Sequence, residues 1–196
     1  MDHHQAKYYT GVGSRRTPHE YLEIMTLLAR KLDKAGWTLR SGGAQGADQA
    51  FEDGASTSKK EIFYAKDATS EAMEIARRFH PNWGACAPFA QKLHGRNAFQ
   101  VLGKDLKTPS RFLVCWTPDA CFSHEDRSRQ TGGTGTAISI ADHYNVQIFN
   151  LGFKPHLDRI AAFVGLAKDE QDNKKLFKLP ENLPEIPDDP YGGLRL

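Results

Sequence analysis

Three glycine-rich segments are the part of the sequence best suited to chemistry. They are residues 11–16 (GVGSRR), 41–48 (SGGAQGAD) and 131–136 (TGGTGT). Glycine lets backbone N–H groups approach an anion closely, and a helix N-terminus adds unpaired donors and partial positive charge. The segments therefore predict a phosphate-binding site, and we expect its contacts to come from Gly13, Ser14, Arg15, Gly42, Gly43, Ala44, Gly132, Gly133, Thr134, Gly135 and Thr136.

Neither of the two common glycine-loop signatures is present. The sequence lacks GxGxxG followed by an acidic residue after the second strand, and it lacks GxxxxGK[ST]. A dinucleotide fingerprint and a P-loop are therefore both disfavoured, and we predict no cofactor. One glycine cluster alone is more often a tight turn than a ligand site, but three clusters at strand exits favour a ligand.

Apolar and amphipathic runs alternate along the chain, which predicts a single Rossmann-like α/β domain. Strands separated by helices imply parallel βαβ units, and ligands bind at the carboxyl ends of such strands. We predict a five-stranded parallel sheet, in the order 3-2-1-4-5, with strands over 7–12, 37–41, 61–65, 111–116 and 146–151. The helices are predicted over 21–32, 46–54, 70–79, 88–106, 136–144 and 155–167.

Composition limits the classes of protein that the chain can be. With 196 residues, 39% hydrophobic residues and a net charge of +2, it suits one domain over 1–178 with a proline-rich tail over 179–196. No apolar run is long enough for a membrane span, and no signal peptide is expected, so we predict a cytoplasmic protein of a bacterial cell or phage-infected host. The low net charge disfavours nucleic acid as a partner.

Metal-binding patterns are weak in the sequence. A zinc site from Cys115, Cys121 and His124 is conceivable but disfavoured, because the spacing is unlike that of known sites and only three ligands are supplied. The other histidines, such as His80 and His94, lie scattered along the sequence, and we assign no function to any of them. We predict free thiols and no metal site.

The glycine motifs resemble those of known families. Gly13-Ser14-Arg15 with Thr17-Pro18, followed by 41–48, is similar to the DNA-processing protein A family, while 132–136 resembles the PGGxGTxxE motif of the "Lonely guy" phosphoribohydrolases. Both belong to the SLOG superfamily of Rossmann-like domains. Small phage and bacterial proteins of the DNA-processing type share this layout, including a WTPD segment like that at 116–119. The resemblance covers about residues 7–152 and implies a nucleotide ligand and pairing into a homodimer or higher homo-oligomer.

The resemblance also shows where this chain departs from the enzymes. Ser139 stands where the phosphoribohydrolases have a glutamate that acts at the ribose, and Arg96 matches an arginine of their site. Glycosidic cleavage requires a carboxylate, so we predict Asp48 and Arg96 as the catalytic pair. Asp48 could equally be an N-terminal helix charge. The alternative acids are Glu52, Glu125 and Asp126.

Three functions remain open from the sequence. The favoured one is binding of a nucleoside monophosphate, an ADP-ribose-like molecule or a cyclic nucleotide, as a sensor or sponge. The alternatives are a nucleoside 5′-monophosphate N-glycosidase and a single-stranded DNA-binding recombination mediator. Trp116 is predicted at the rim of the ligand crevice, and the long polar loop over 117–131 is predicted to be a lid over the ligand.

Overall fold

A computed structural model describes residues 7–166 of the chain, and the predicted tail over 179–196 lies outside the described residues. The described part is a three-layer α/β domain. Its strands are β1 (Tyr8–Gly11), β2 (Thr38–Ser41), β3 (Lys60–Ile62), β4 (Phe112–Cys115) and β5 (Gln147–Asn150). Its helices are α1 (His19–Lys34), α2 (Ala47–Gly54), α3 (Ser70–Phe79), α4 (Pro88–Leu102), α5 (Thr134–His143) and α6 (Lys154–Val164).

The five strands form one parallel sheet in the order β3-β2-β1-β4-β5, which confirms the predicted fold class and topology. The hydroxyl of Ser41, the last residue of β2, donates a hydrogen bond of 2.7 Å to the carbonyl of Gly11, the last residue of β1. The carboxyl ends of the two strands are thereby fixed side by side. The strand order reverses next to β1, so the crevice that this topology creates lies between the exits of β1 and β4.

Apolar side chains cover both faces of the sheet. Along β4, Phe112 packs with the layer of α1, α2 and α6, whereas Leu113 packs with the layer of α3, α4 and α5. This alternation follows from the two-residue period of a strand. In α1 the buried residues recur at helical spacing and include Tyr21, Met25 and Leu28. Both faces of the sheet are therefore covered by helices, and a ligand can reach it only at the loops where the strands end.

The predicted boundaries differ from the observed ones mainly at β3 and α4. The third strand ends at Ile62, because the chain then enters a 3₁₀ turn over Ala65–Asp67. Helix α4 ends at Leu102, where Gly103 adopts a positive φ of 78° and stops the helix. Within residues 7–166, no helix combines the length and the apolarity that crossing a bilayer requires.

Candidate functional site

The glycine segments meet at one cleft, which we call the glycine cleft. It has a volume of about 480 Å³ and lies at the carboxyl ends of the central strands. Pockets of this size hold small-molecule ligands. Nine of the predicted site residues line it: Gly13, Ser14, Arg15, Ala44, Asp48, Arg96, Gly132, Gly133 and Thr134. Arg16, at the end of the first glycine segment, also lines it, and so do His94, Asn97, Gln100 and Gln130, which were not among the predicted contacts.

The first glycine segment turns sharply after β1 and presents two arginines. The Ser14 carbonyl accepts hydrogen bonds from the backbone N–H and hydroxyl of Thr17, and the Ser14 hydroxyl accepts one from the backbone N–H of Arg16. These bonds hold the turn while the Arg15 and Arg16 side chains remain exposed. Within residues 7–166, neither arginine forms an ion pair with a carboxylate. Both guanidinium groups are therefore available for an anion.

Asp48, Arg96 and Gln100 converge on Gly42 beneath the cleft. A Cβ atom at Gly42 would lie 2.5 Å from Nε2 of Gln100 and 2.7 Å from both Cζ of Arg96 and Oδ2 of Asp48. Gly42 does not line the cleft, and its role is to leave room for these three side chains. The Arg96 guanidinium also donates a hydrogen bond of 2.7 Å to the Gly42 carbonyl, which orients it. The second glycine segment and these three polar side chains are therefore packed directly against one another.

The Asp48 carboxyl has a raised pKa. Its side chain is buried, and burial raises its pKa to about 6, although Arg96 and the backbone N–H of Ala44 oppose the shift. Oδ2 of Asp48 lies 3.8 Å from the Arg96 guanidinium, which is too far for a strong hydrogen bond. Desolvation therefore outweighs the ion pair. A carboxyl that exchanges its proton near neutral pH suits general acid–base chemistry.

Gln100 is the most informative residue that sequence analysis missed. It is 1% exposed, it lines the cleft, and neither amide atom has a hydrogen-bond partner within the described part of the protein. Buried polar groups are almost always paired. An amide offers both donors and an acceptor, so the unpaired Gln100 is suited to a ligand that presents both. In the sequence it sits in the apolar stretch of α4, which hid it.

The third glycine segment leads directly into α5. No side chain caps this helix, although the backbone N–H groups of Gly135 and Thr136 donate to the carbonyls of Gly132 and Gly133 at 3.2 and 3.4 Å. Gly133 and Thr134 line the cleft, so the partial positive charge of the α5 N-terminus lies at its wall. The Asn97 side-chain amide donates a hydrogen bond of 3.1 Å to the Gly133 carbonyl and fixes the loop. A Cβ atom at Gly133 would meet no atom within 4 Å, so the residue is open on its side-chain side.

Four other residues predicted to contact the ligand lie outside the lining of the cleft. The Thr136 side chain is buried and bonds to Nδ1 of His94, while Gly135 makes room for the guanidinium of Arg127. Gly43 has a positive φ of 66° in the turn after β2. Trp116 is partly buried and its ring packs on Tyr21, with a centroid distance of 5.7 Å. None of these four residues lines the cleft.

The loop predicted as a lid is tied down by its own polar groups. The Asp119 carboxylate accepts hydrogen bonds from the hydroxyls of Ser128 and Thr131, and only Gln130 and Thr131 of this loop line the cleft. In the middle of the loop, the Arg127 guanidinium donates a hydrogen bond of 2.6 Å to the Phe79 carbonyl. The loop thus shapes one wall of the cleft with its end and packs its middle against α3 and α5.

Ser139, which the sequence resemblance placed at the glutamate position of the phosphoribohydrolase motif, does not line the glycine cleft. It is completely buried, its hydroxyl lies 2.8 Å from Nδ1 of His124, and it borders a separate cavity of about 430 Å³. The alternative acids are also placed elsewhere. Glu125 borders that second cavity, Asp126 accepts a hydrogen bond from Ser123, and Glu52 is absent from the cleft lining. Asp48 is the one carboxylate among the lining residues.

Two histidines that the sequence leaves scattered lie together in the structure. The ring centroids of His80 and His94 are 4.3 Å apart, and Cys86 Sγ is 3.6 Å from Nε2 of His80. Burial, followed by the charges of His80 and Arg127, lowers the pKa of His94 to about 4. The sequence analysis assigned these histidines no function, and they meet because α3, α4 and the turn between them fold back on one another. By contrast, the disfavoured zinc set is dispersed: Cys121 Sγ donates to the Ser123 carbonyl, and His124 contacts Ser139.

We compared the chain with family models, with curated proteins and with solved structures, and none of the three comparisons produced a match.

Proposed function

We propose that this chain binds a nucleotide or a nucleotide-derived ligand in the glycine cleft. The ligand is a nucleoside monophosphate, an ADP-ribose-like molecule or a cyclic nucleotide. The observation that carries the proposal is the meeting of three glycine segments at a cleft with an unpaired buried amide, Gln100, on its wall. The phosphate lies at the start of α5, and the ribose and base extend toward Asp48, Arg96 and Gln100.

The charge of the cleft supports an anionic ligand. Arg15, Arg16 and Arg96 line it, and Asp48 is the one opposing carboxylate among the lining residues. The partial positive charge of the α5 N-terminus adds to the arginines. A phosphate near Gly133 and Thr134 would accept hydrogen bonds from the backbone and from guanidinium groups, which are the stronger, charge-assisted kind.

The polar side chains of Gln100 and Arg96 on the wall of the cleft support a ligand with hydroxyl or amide groups in addition to the phosphate. Gln100 offers donors and an acceptor, and Nε of Arg96 is buried without a hydrogen-bond partner in the described residues. An unpaired buried group costs about 1–3 kcal/mol. A ligand that pairs these groups recovers that cost, so the site favours molecules that present both donors and acceptors, as ribose and bases do.

The recombination-mediator alternative has less support from the cleft. Binding of single strands relies on aromatic platforms on which bases stack. No Phe, Tyr or Trp is among the residues that line the cleft, and Trp116 instead packs on Tyr21. A cleft of about 480 Å³ without aromatic lining is better matched to one nucleotide than to a strand.

Asp48 supports a second candidate function, hydrolysis of the N-glycosidic bond of a nucleoside 5′-monophosphate. Its pKa of about 6 gives it a substantial population of both protonation states near neutral pH. It could therefore activate water or steady positive charge on the ribose. Arg96, beside it, would hold the phosphate or a ribose hydroxyl. A sensor or sponge requires the same binding residues without this step.

The binding proposal is tested by a thermal-shift screen against nucleoside mono-, di- and triphosphates, ADP-ribose and cyclic nucleotides. A ligand at one hundred times its dissociation constant stabilises the fold by about 2.7 kcal/mol. Any ligand found is then incubated with the protein, and released base is measured by chromatography. Asp48→Asn should abolish base release, with Asp53→Asn as the matched control on the exposed side of α2. Ligand binding without base release from the wild type favours the sensor or sponge.

A further inference from the structure

A cluster of His80, Cys86 and His94 lies beside the glycine cleft. Each residue offers one ligand atom, and these atoms lie within 4.8 Å of one another. It is the one group of three potential metal-binding side chains among residues 7–166. His80 follows the end of α3, Cys86 follows a 3₁₀ turn over Trp83–Ala85, and His94 projects from α4. Three separate local structures thus bring the groups together.

Cys86 Sγ lies 3.6 Å from Nε2 and 3.7 Å from Nδ1 of His80, and the three ligand atoms of the cluster lie within 4.8 Å of one another. Bonds of about 2.3 Å to sulfur and 2.0 Å to nitrogen place such ligand atoms about 3.5 Å apart. Nε2 of His80 is 3.6 Å from Cys86 Sγ, which is close to that spacing. The Asn82 backbone N–H donates a hydrogen bond of 3.2 Å to Nδ1 of His80. Coordination of zinc through Nε2 places the ring proton on Nδ1, so this one hydrogen bond is replaced by a metal bond.

The Thr136 hydroxyl orients the ring of His94. The Thr136 hydroxyl lies 2.9 Å from Nδ1 of His94, and Thr136 is completely buried. A hydroxyl that accepts a hydrogen bond from Nδ1 leaves Nε2 unprotonated and directed at a metal, as in established metal sites. The Trp83 ring packs on both histidines, with centroid distances of 5.9 Å to His80 and 6.3 Å to His94. A nucleophilic Cys–His pair would need neither a second histidine nor this hydroxyl.

We propose that His80, Cys86 and His94 bind a single zinc ion. A thiolate with two imidazoles is a donor set that suits zinc, and oxygen-preferring ions such as magnesium or calcium are disfavoured. Cys86 binds as the thiolate, and its proton is released to solvent. Three protein ligands leave a fourth coordination position for water or another ligand, the arrangement of catalytic rather than structural zinc sites.

The zinc site adjoins the site of the proposed function without depending on it. His94 belongs to the cluster and also lines the glycine cleft. Zinc bound to it would therefore lie beside the ligand, where an ion polarises an oxygen or activates a water molecule. Metal binding is measured without any nucleotide, so failure of one proposal leaves the other standing.

The experiment is titration of the chelator-stripped, full-length protein with Zn²⁺ by calorimetry and with Co²⁺ by absorption spectroscopy. We expect one Zn²⁺ per chain, a thiolate-to-cobalt charge-transfer band, and visible bands of the intensity typical of tetrahedral cobalt. Cys86→Ser should abolish the charge-transfer band and lower zinc affinity by more than 100-fold. Thr136→Val should lower affinity by about 10–100-fold with unchanged stoichiometry, the usual effect of losing a residue that hydrogen-bonds to a metal-binding histidine.

Two controls separate this site from adventitious binding. His19→Ala removes an exposed histidine of α1 that belongs to no such cluster, and it should leave zinc affinity unchanged. Circular dichroism checks that Cys86→Ser is folded, and His80→Ala provides a second variant. The proposal is overturned if the stripped wild type binds no zinc, or if folded Cys86→Ser and His80→Ala bind it as tightly as the wild type does.

Discussion

The carboxylate of Asp48 lies 3.8 Å from the guanidinium of Arg96, and both side chains are largely buried beneath the glycine cleft. The pair is close enough for attraction but too loose to offset the burial of the carboxylate, and the pKa of Asp48 is raised to about 6. Ionisation of Asp48 therefore lowers the free energy of unfolding. Such a cost is common at functional sites, where groups are arranged for a ligand rather than for the fold.

Asp48→Asn should stabilise the free protein at neutral and alkaline pH. Burial raises the pKa of Asp48 in the folded protein to about 6, above that of an exposed carboxyl, so stability is lost as the pH rises through about 6. Raising a carboxyl pKa from about 4 to about 6 corresponds to about 3 kcal/mol in the free energy of unfolding. Urea unfolding at pH 8 should show a gain of this order for the variant, and the gain should shrink toward zero near pH 4. A variant less stable than the wild type at pH 8 would contradict the assigned ionisation.

Gly133→Leu should abolish ligand binding while the fold survives. Gly133 has an ordinary helical conformation, with φ −63° and ψ −26°, and a Cβ atom there meets nothing within 4 Å. The leucine side chain therefore fits without backbone strain but occupies the space of the phosphate. We expect a loss of affinity of at least about 100-fold by calorimetry, with a melting temperature close to that of the wild type.

Gly84→Leu is the matched control for this substitution. Gly84 is also open around its Cβ position and does not line the cleft. It should leave both affinity and stability unchanged. Unaltered nucleotide affinity in folded Gly133→Leu would show that the phosphate does not lie at the start of α5.

Gln100→Met should raise stability and weaken binding. The substitution keeps the side-chain length and removes two buried atoms that have no hydrogen-bond partner in the described structure. Removing an unsatisfied buried group gains about 1–2 kcal/mol, while the ligand loses its amide partner. We expect a higher urea midpoint together with a tenfold or greater rise in Kd. Opposite changes, lower stability with unchanged Kd, would mean that Gln100 is a structural residue.

The fold was predictable because its signals are local and repeat along the chain. Continuous apolar strands such as β4, amphipathic helices such as α1, and glycines at strand exits all point to the same parallel sheet. The convergence of 13–15, 44–48 and 132–134 on one cleft followed from that topology. The third strand was predicted to start one residue late and to end three residues late, because its polar start and the turn after it carry no clear pattern.

The parts of the site that the sequence did not reveal depend on tertiary contacts. Gln100 looks like any polar residue on a helix, and only burial without a partner marks it. His80, Cys86 and His94 have spacings of six and eight residues across a helix end, a turn and a second helix, which match no compact metal motif. Arg127 lies in a loop, and its packing over Gly135 follows from how that loop folds back.

The assembly of the chain remains a prediction. The resemblance to families that pair through helices beside the site implies a homodimer or a higher homo-oligomer, and closed twofold dimers are the commonest oligomers. Light scattering coupled to size-exclusion chromatography should give a mass of at least twice the 21.9 kDa of one chain. A mass of one chain at micromolar concentration would contradict it.

The most direct test of phosphate recognition in the glycine cleft is calorimetric titration of the wild type with a nucleotide and with its parent nucleoside. The nucleotide is the one that stabilises the protein most in the thermal-shift screen. Two charge-assisted hydrogen bonds to phosphate, each contributing about 1.5 kcal/mol or more, should make the nucleotide bind about 100-fold more tightly than the nucleoside. Equal affinities, or no binding by any nucleotide in the screen, would contradict the account.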